Sequence, residues 1–248
     1  MYINDTHIGF YILFAILGLL IGQFTHWMII RLPENKKVFS KDIIRAYKFQ
    51  FKPNYILMII TAVIYVSLIY NLGINNNFIE DLNLIKYLLL VPMLLTAFVI
   101  DYKLKIIPNR LNLTMFEIGI LMAFIYGFSN TAITLDLLFG MIIGGGIFLI
   151  ISAISGLIYG KEAMGFGDIK FMIALGLYFG FVNTIVISII AFIFGAIISI
   201  ILIICKIKKS NEYIPFGPFI VISTLVCMFL PADFIINTLK TALTLRML

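Results

Sequence analysis

The stretch from Thr184 to Cys205, TIVISIIAFIFGAIISIILIIC, decides the fold class of this chain. It holds no charged residue, and it is long enough to cross a bilayer, because about 20 apolar helical residues span the hydrocarbon core. The whole chain has the same character: of 248 residues, 62% are hydrophobic and 12% are charged, and the mean hydropathy is +1.11. These values lie outside the range of soluble globular domains. We therefore expect an all-α integral membrane protein, a polytopic helical bundle.

The apolar runs predict about eight transmembrane helices, and seven are possible. The sixth predicted helix is short, and only the turn at Gly180–Asn183 separates it from the seventh. The first is too long for a signal-peptide core and should stay as a membrane helix. We divide the chain into residues 1–54, which hold the first helix and a basic loop, and residues 55–248, the polytopic membrane domain. The predicted spans are residues 8–30, 55–72, 84–101, 111–128, 136–158, 169–182, 184–205 and 215–235.

The basic residues lie in alternate loops, which predicts the orientation of the chain by the positive-inside rule. Fifteen of the 18 Lys and Arg residues fall within residues 31–54, 102–110, 160–170 and 206–212. These loops should face the cytoplasm, so that both termini lie outside. The net charge of +6 then reflects cytoplasmic loops beside a lipid bilayer, and no nucleic-acid partner is expected. The loop at residues 31–54 is interpreted as an ordinary positive-inside loop, with contact to an anionic inner leaflet as the alternative.

Two aspartates flanked by apolar sequence indicate a chemical function. A charge at membrane depth is costly, and the predicted topology brings Asp101 and Asp168 to one depth, near the cytoplasmic ends of their helices. Two carboxylates held close together cannot both ionise easily, so they share one proton. One can then activate water as a general base while the other protonates the carbonyl oxygen or the leaving amine. This is aspartyl-protease chemistry, and it needs no metal.

Irregular segments lie beside both aspartates. Glycines on either side of Phe166 allow a positive φ, or close passage of a neighbouring helix or an extended peptide. A proline seven residues after Asp101 should end the helix in the loop, while Pro92 can kink the third span and free backbone carbonyls. A further irregular segment, Tyr213–Phe219, enters the last span from the same side. The candidate substrate-positioning residues are Gly165, Phe166, Gly167, Lys170, Pro108, Pro215 and Gly217.

Two alternatives remain open on the residues alone. The aspartates could be separate interfacial charges, Asp101 paired with Lys103 or Lys105 and Asp168 with Lys170. They could also form the proton relay of a proton-coupled transporter, although no inverted repeat is apparent.

Other polar and small residues are interpreted as structural. These are the carboxylates Glu117, Asp136 and Asp233, and the small residues Gly140, Gly144, Ala191, Gly195 and Ser199, whose spacing favours close helix packing. Cys205 and Cys227 are too few for a disulfide framework or a four-thiolate zinc site, so no metal site is predicted.

Three segments resemble the bacterial type IV prepilin peptidases, which are membrane aspartyl proteases of the GxGD class. They are AFVIDYKLKIIPNRLNL at 97–113, GKEAMGFGDIKFMIALG at 160–176 and EYIPFGPFI at 212–220. The resemblance implies that Asp101 and Asp168 are the catalytic pair. It also implies cleavage of the short basic leader of prepilin or pseudopilin proteins, just after a glycine and before an apolar helix. The reaction would take place at the cytoplasmic face of the cytoplasmic (inner) membrane.

The N-terminal element GQFTHWMIIRLP at 22–33 is similar to the family's GSFLNVVIYRLP, with Gln23 and His26 in place of Ser and Asn. Many members continue into a loop with two CxxC pairs that bind zinc, in a region linked to N-methylation. Both pairs are missing here, as is the acidic residue expected shortly after Pro53. We therefore expect proteolysis without a cofactor, and S-adenosylmethionine as a cofactor only if methylation is retained.

Overall fold

A computed structural model describes residues 2–3, 6–34, 38, 53–74, 77–159, 164–207 and 214–243. Most of the basic loop, the start of the GKEAMGFGD segment (160–163) and residues 208–213, with Tyr213, lie outside these ranges. The described chain is almost entirely helical, so the predicted all-α fold is confirmed. Two-residue strands, β1 (Tyr2–Ile3) and β2 (Thr6–His7), pair before the first helix. The helices are α1 (Ile8–Arg31), α2 (Tyr55–Leu72), α3 (Phe78–Leu104), α4 (Asn109–Ser129), α5 (Thr131–Tyr159), α6 (Phe166–Ile204), α7 (Gly217–Phe229) and α8 (Ala232–Leu243).

Within the described ranges, six helices are long and apolar enough to cross a membrane, and seven if the bent pair α7–α8 counts as one span. The chain is therefore a multi-pass membrane protein. It divides into two compact units, Met1–Ile100 and Asp101–Leu248, with the division inside α3. Our division at residue 54 followed charge and hydropathy rather than compactness, and it stays a prediction.

In the first unit, α1 and α2 pack closely through two glycines of α1. A Cβ atom on Gly18 would overlap the backbone of Ala62, and one on Gly22 would lie 2.5 Å from the Cα of Met58. The side-chain oxygen of Gln23 accepts a hydrogen bond from the backbone N–H of Asn54 at 3.2 Å. Gln23, one of the departures from the family pattern, therefore connects α1 to the start of α2.

Pro92 lies inside α3 and leaves a carbonyl without its helical donor, as the sequence predicts. Because proline has no N–H, the carbonyl of Leu88 four residues earlier loses its partner. The hydroxyl of Tyr65 on α2 donates to this oxygen at 2.7 Å. The freed carbonyl is therefore satisfied by the neighbouring helix.

In the second unit, α6 reverses direction at Gly180. Gly180 adopts φ 74° and ψ −175°, a conformation that glycine tolerates far better than other residues. A Cβ on Gly144 of α5 would lie 2.6 Å from the Met172 carbonyl and 3.0 Å from Thr184 Cγ2. A straight helix would separate residues 172 and 184 by about 18 Å. The chain therefore folds into two arms, residues 166–179 and 181–204, and both pack against α5.

This reversal agrees with the turn predicted at Gly180–Asn183. The 14 residues of the first arm give a helix of about 21 Å, which is shorter than the roughly 30 Å hydrocarbon core. Asp136 on α5 accepts the N–H of Phe181 at 3.1 Å and so caps the second arm, a structural role. The count of six or seven spans takes α6 as one span. If its two arms are counted as separate spans, the total is seven or eight, as predicted.

The boundaries of three predicted helices are wrong, and the fifth begins at Thr131 rather than residue 136. The third begins at Phe78 rather than residue 84, because Glu80 and Asp81 occupy its first turn, where the helix dipole favours acidic side chains. The helix also continues to Leu104, so that Asp101 lies in its last turn rather than at its final residue. The span predicted at 215–235 is interrupted, since Pro231 cannot continue a helix, and α7 and α8 meet at 111°.

Candidate active site

Asp101 lies in the last turn of α3 and is buried, with 2% of its surface exposed. The helix ends three residues later, where Lys105 takes a left-handed φ of 58° and its N–H bonds the carbonyl of Asp101 at 2.9 Å. The side-chain Oδ2 of Asp101 accepts the backbone N–H of Gly217 at 2.9 Å. This bond joins residues that are 116 positions apart in the sequence, and it orients the carboxylate through one of its oxygens.

A side chain at position 217 would displace the carboxylate of Asp101. A Cβ there would lie 2.6 Å from Oδ2 of Asp101 and 3.1 Å from its Cγ. The preceding residue, Phe216, anchors the segment, since its ring lies 5.2 Å from that of Phe192 and 5.9 Å from that of Phe148. Pro215 is buried beside it. The aromatic cluster therefore holds the start of α7, and its first N–H, against Asp101.

Asp168 lies in the first turn of α6 and is 4% exposed. Gly165 caps this helix with φ −68° and ψ 142°, and its carbonyl accepts the N–H of Asp168 at 3.0 Å. Neither glycine of the motif uses a positive φ, because Gly165 is extended and Gly167 is helical. A Cβ on Gly167 would meet Ile107 at 3.5 Å, an ordinary contact. The positive-φ option raised by the sequence is therefore wrong, and both glycines line a cavity beside Asp168 instead.

Both carboxylates line one cavity of about 310 Å³, which we call the aspartate cavity. Ligand pockets in proteins typically measure about 300–1,000 Å³, so the cavity can hold a short peptide segment. Of the predicted positioning residues, Gly165, Phe166, Gly167 and Lys170 line it. Gly217 contacts Asp101 from the side.

The two predicted prolines hold the ends of segments, and neither is among the described lining residues. Pro108 is buried and extended, with φ −61° and ψ 132°, and α4 begins directly after it. Its carbonyl accepts the N–H groups of Leu111 and Asn112 at 3.0 and 3.3 Å. Pro108 therefore ends the loop after α3, as predicted, and starts the helix that packs on α6.

Two asparagines that the sequence reasoning missed connect α4 to the start of α6. Asn112, 4% exposed, donates from Nδ2 to the carbonyl of Gly167 at 3.1 Å. Asn109 accepts from Nζ of Lys170 at 3.0 Å and lines the aspartate cavity. Two side-chain amides three residues apart after Pro108 share one helix face. This spacing was the feature of the sequence that could have indicated their role.

The same geometry bears on the interfacial-charge alternative. That alternative pairs Lys170 with Asp168, but the Lys170 ammonium bonds Asn109 and lies 5.4 Å from the centre of the Phe166 ring. Both carboxylates are buried rather than exposed at helix ends. This arrangement favours one buried site that contains both aspartates over two separate interfacial charges.

The profile of the type IV leader peptidase family matches residues 88–200, which include both aspartates. The chain is thus similar to the type IV leader peptidase family over these residues. A prepilin leader peptidase/N-methyltransferase of Legionella pneumophila is 33% identical over 159 residues, 63% of this chain and 53% of that protein. Proteins of the same name from Vibrio cholerae and Aeromonas hydrophila are 38% and 29% identical, over 55% of this chain and 52% and 46% of their own lengths. No solved structure matches significantly.

The chain thus spans about half the length of the curated relatives it matches. The matched residues, here called the leader peptidase segment, include every described lining residue of the aspartate cavity, whereas Gly217 lies beyond them. The names of the relatives also include N-methyltransferase. The chain has only two cysteines, Cys205 and Cys227, so its donor set does not fit the four-thiolate zinc site of many family members.

Proposed function

We propose that this chain is a type IV prepilin peptidase, an aspartic endopeptidase of the GxGD type. It removes the leader of prepilin or pseudopilin proteins just after a glycine, with Asp101 and Asp168 as the catalytic pair. The observation that carries the proposal is that two buried carboxylates, far apart in sequence, line one cavity inside the leader peptidase segment.

The pair acts by general acid–base catalysis. Held close together, the two carboxyl groups retain one proton between them. One carboxylate takes a proton from water as the water attacks the scissile carbonyl, and the other gives its proton to the carbonyl oxygen. When the tetrahedral intermediate collapses, the C–N bond breaks and the new amine takes a proton from one carboxyl group, while a hydroxyl of the intermediate returns its proton to the other as the carbonyl re-forms. Proteolysis by this route uses no cofactor.

Each aspartate is held by a separate backbone element. The N–H of Gly217 orients the Asp101 carboxylate, while the turn Gly165–Asp168 sets the position of Asp168. Asn112 ties that turn to α4 through the Gly167 carbonyl. Such preorganisation matters because a reacting group displaced by 1 Å can cost about 100-fold in rate. The substrate backbone must be extended at the scissile bond. The part of the aspartate cavity beside Gly167 can hold an extended backbone.

In this proposal the aspartate cavity lies at the cytoplasmic face of the inner membrane, where a basic leader would be presented, and the positive-inside rule supports that side. Lys105 and Lys170 at the cavity agree with that side. Methylation of the new N-terminus, with S-adenosylmethionine as the methyl donor, is not part of the proposal, because the thiolates of the zinc loop are missing.

The proposal is tested with the purified chain in proteoliposomes, a prepilin substrate and S-adenosylmethionine, with the product N-terminus followed by mass spectrometry. We expect leader removal by the wild type, and a loss of about 1,000-fold or more in Asp101→Asn and Asp168→Asn, since each removes an acid–base partner. Glu117→Gln is the matched control, because Glu117 is an exposed carboxylate in the same unit.

Full activity in either aspartate variant would refute the assigned chemistry. A further gain of one methyl group in the product would show that methylation is retained without the cysteines. The transporter alternative gains no support, since the relatives described above are all named leader peptidases. It would be revived by solute uptake that depends on both aspartates, in a folded sample that cleaves no prepilin.

A further inference from the structure

A second cavity of about 300 Å³ lies between α4 and the first arm of α6, and we call it the side groove. Its described lining residues are Asn109, Asn112, Leu113, Phe116, Lys170 and Ile173. None of the catalytic aspartates lines it. The side groove lies on membrane-spanning helices, and Leu113 on its wall is 56% exposed, which leaves room for an occupant from the bilayer.

The side groove continues the aspartate cavity. Asn109 and Lys170 line both of them, and the hydrogen bond between these two side chains forms the boundary. A chain that leaves the aspartate cavity past Lys170 therefore enters the side groove directly. The two cavities therefore adjoin each other along the faces of α4 and α6, and a peptide that passes this boundary would follow one path through both.

The chemistry of the side groove changes along this path. The end near the aspartates is polar and is lined by Lys170, Asn109 and Asn112. The rest of the groove is apolar and is lined by Leu113, Phe116 and Ile173. Asn112 donates to the Gly167 carbonyl, but its Oδ1 is buried and accepts no hydrogen bond from the described part of the chain. A buried acceptor without a partner is unfavourable, and a peptide N–H of an occupant that draws the amide into the groove would offset this. The polar end thus suits a peptide backbone, and the remainder suits apolar side chains.

We propose that the side groove binds the apolar residues that follow the scissile bond of the substrate. The proposal rests on the proposed function, because it takes the cleaved bond to lie at the aspartates. A prepilin presents an extended, cleavable segment that is followed at once by apolar residues, and the path in this chain has that order of polar and apolar walls. The occupant is therefore a substrate segment and not a lipid acyl chain.

The test blocks the side groove and compares two substrates. Leu113→Trp fills it, and Leu121→Trp is the matched control, since Leu121 lies about 12 Å further along α4 and is 54% exposed against 56% for Leu113. One substrate is the full-length prepilin, and the other is a peptide that ends just after the cleavage site. We expect Leu113→Trp to lower kcat/KM for prepilin about tenfold more than for the peptide, mainly through KM. Leu121→Trp should leave both values near the wild type.

Equal losses on both substrates, or no loss on either, would overturn the proposal while leaving the peptidase intact. A wild-type protein that cleaves neither substrate would refute the proposed function itself. Because a tryptophan could disturb folding, a photoreactive residue at position 113 or 121 of the Asp168→Asn protein provides a second measurement. We expect cross-links to prepilin from position 113 and not from 121. Cross-links to lipid alone from position 113 would contradict the proposal.

Discussion

Replacing Gly217 with alanine should impair catalysis without removing either aspartate. The new Cβ would stand 2.6 Å from Oδ2 of Asp101 and 3.2 Å from its Cβ, so the carboxylate has to withdraw by several tenths of an ångström. The aromatic contacts of Phe216 oppose a compensating shift of α7. The hydrogen bond of 2.9 Å from the Gly217 N–H is then lost or lengthened.

The size of the effect follows from that bond. A hydrogen bond to a charged group contributes about 1.5–3 kcal/mol, and each 1.36 kcal/mol is a factor of ten in rate. If this contribution orients Asp101 in the transition state, kcat should fall about 10- to 150-fold. The KM should change less than about twofold, because Gly217 is not among the described residues that line the aspartate cavity.

The assay is steady-state cleavage of prepilin in proteoliposomes, beside a thermal unfolding curve for each protein. Gly146→Ala is the matched control, because no atom lies within 4 Å of the Cβ that it adds. A Gly217→Ala protein with the kcat of the wild type would show that the bond to Asp101 has no part in catalysis. A fall in kcat with an equal fall for Gly146→Ala would show a general sensitivity of the fold.

Two further substitutions test the supports of the site. Asn112→Ala removes the hydrogen bond to the Gly167 carbonyl, so kcat should fall about five- to tenfold in the same assay; an unchanged kcat would refute its role in holding the turn. Gly180→Ala forces a left-handed φ of 74° on alanine and drives its Cβ into the carboxylate of Asp136. Thermal unfolding in detergent should show a clear loss of stability relative to Gly156→Ala, whose Cβ meets nothing within 4 Å, and equal melting curves would contradict the reversal of α6.

The membrane helices could be predicted from the sequence because the bilayer fixes their length and composition. The apolar run at 184–205 and the turn at Gly180 appear in the structure where the sequence indicates them. The prediction that Asp101 and Asp168 share one depth followed from the number and direction of the predicted spans. Parity of the spans brings both to one side, which is a strong restriction on where they can lie.

Contacts between distant segments could not be predicted in the same way. Hydropathy gives no information about which N–H meets Asp101, and the donor, Gly217, lies 116 residues away. The bend at Pro231 was hidden because both of its sides are apolar. The start of α3 at Phe78 was missed since Glu80 and Asp81 lower the hydropathy although they favour a helix N-terminus. Asn112 carried no recognised motif, and its role depends on the packing of α4 against α6.

The central claim, that Asp101 and Asp168 act as one catalytic unit, is tested most directly by comparing the two single asparagine variants with the double variant. Initial rates of leader removal from prepilin are measured in proteoliposomes that contain equal amounts of folded protein. Groups that share one proton and one reaction lose activity together, so the double variant should be no slower than either single variant. A double variant whose loss equals the product of two partial losses would show that the aspartates act independently and would contradict the account.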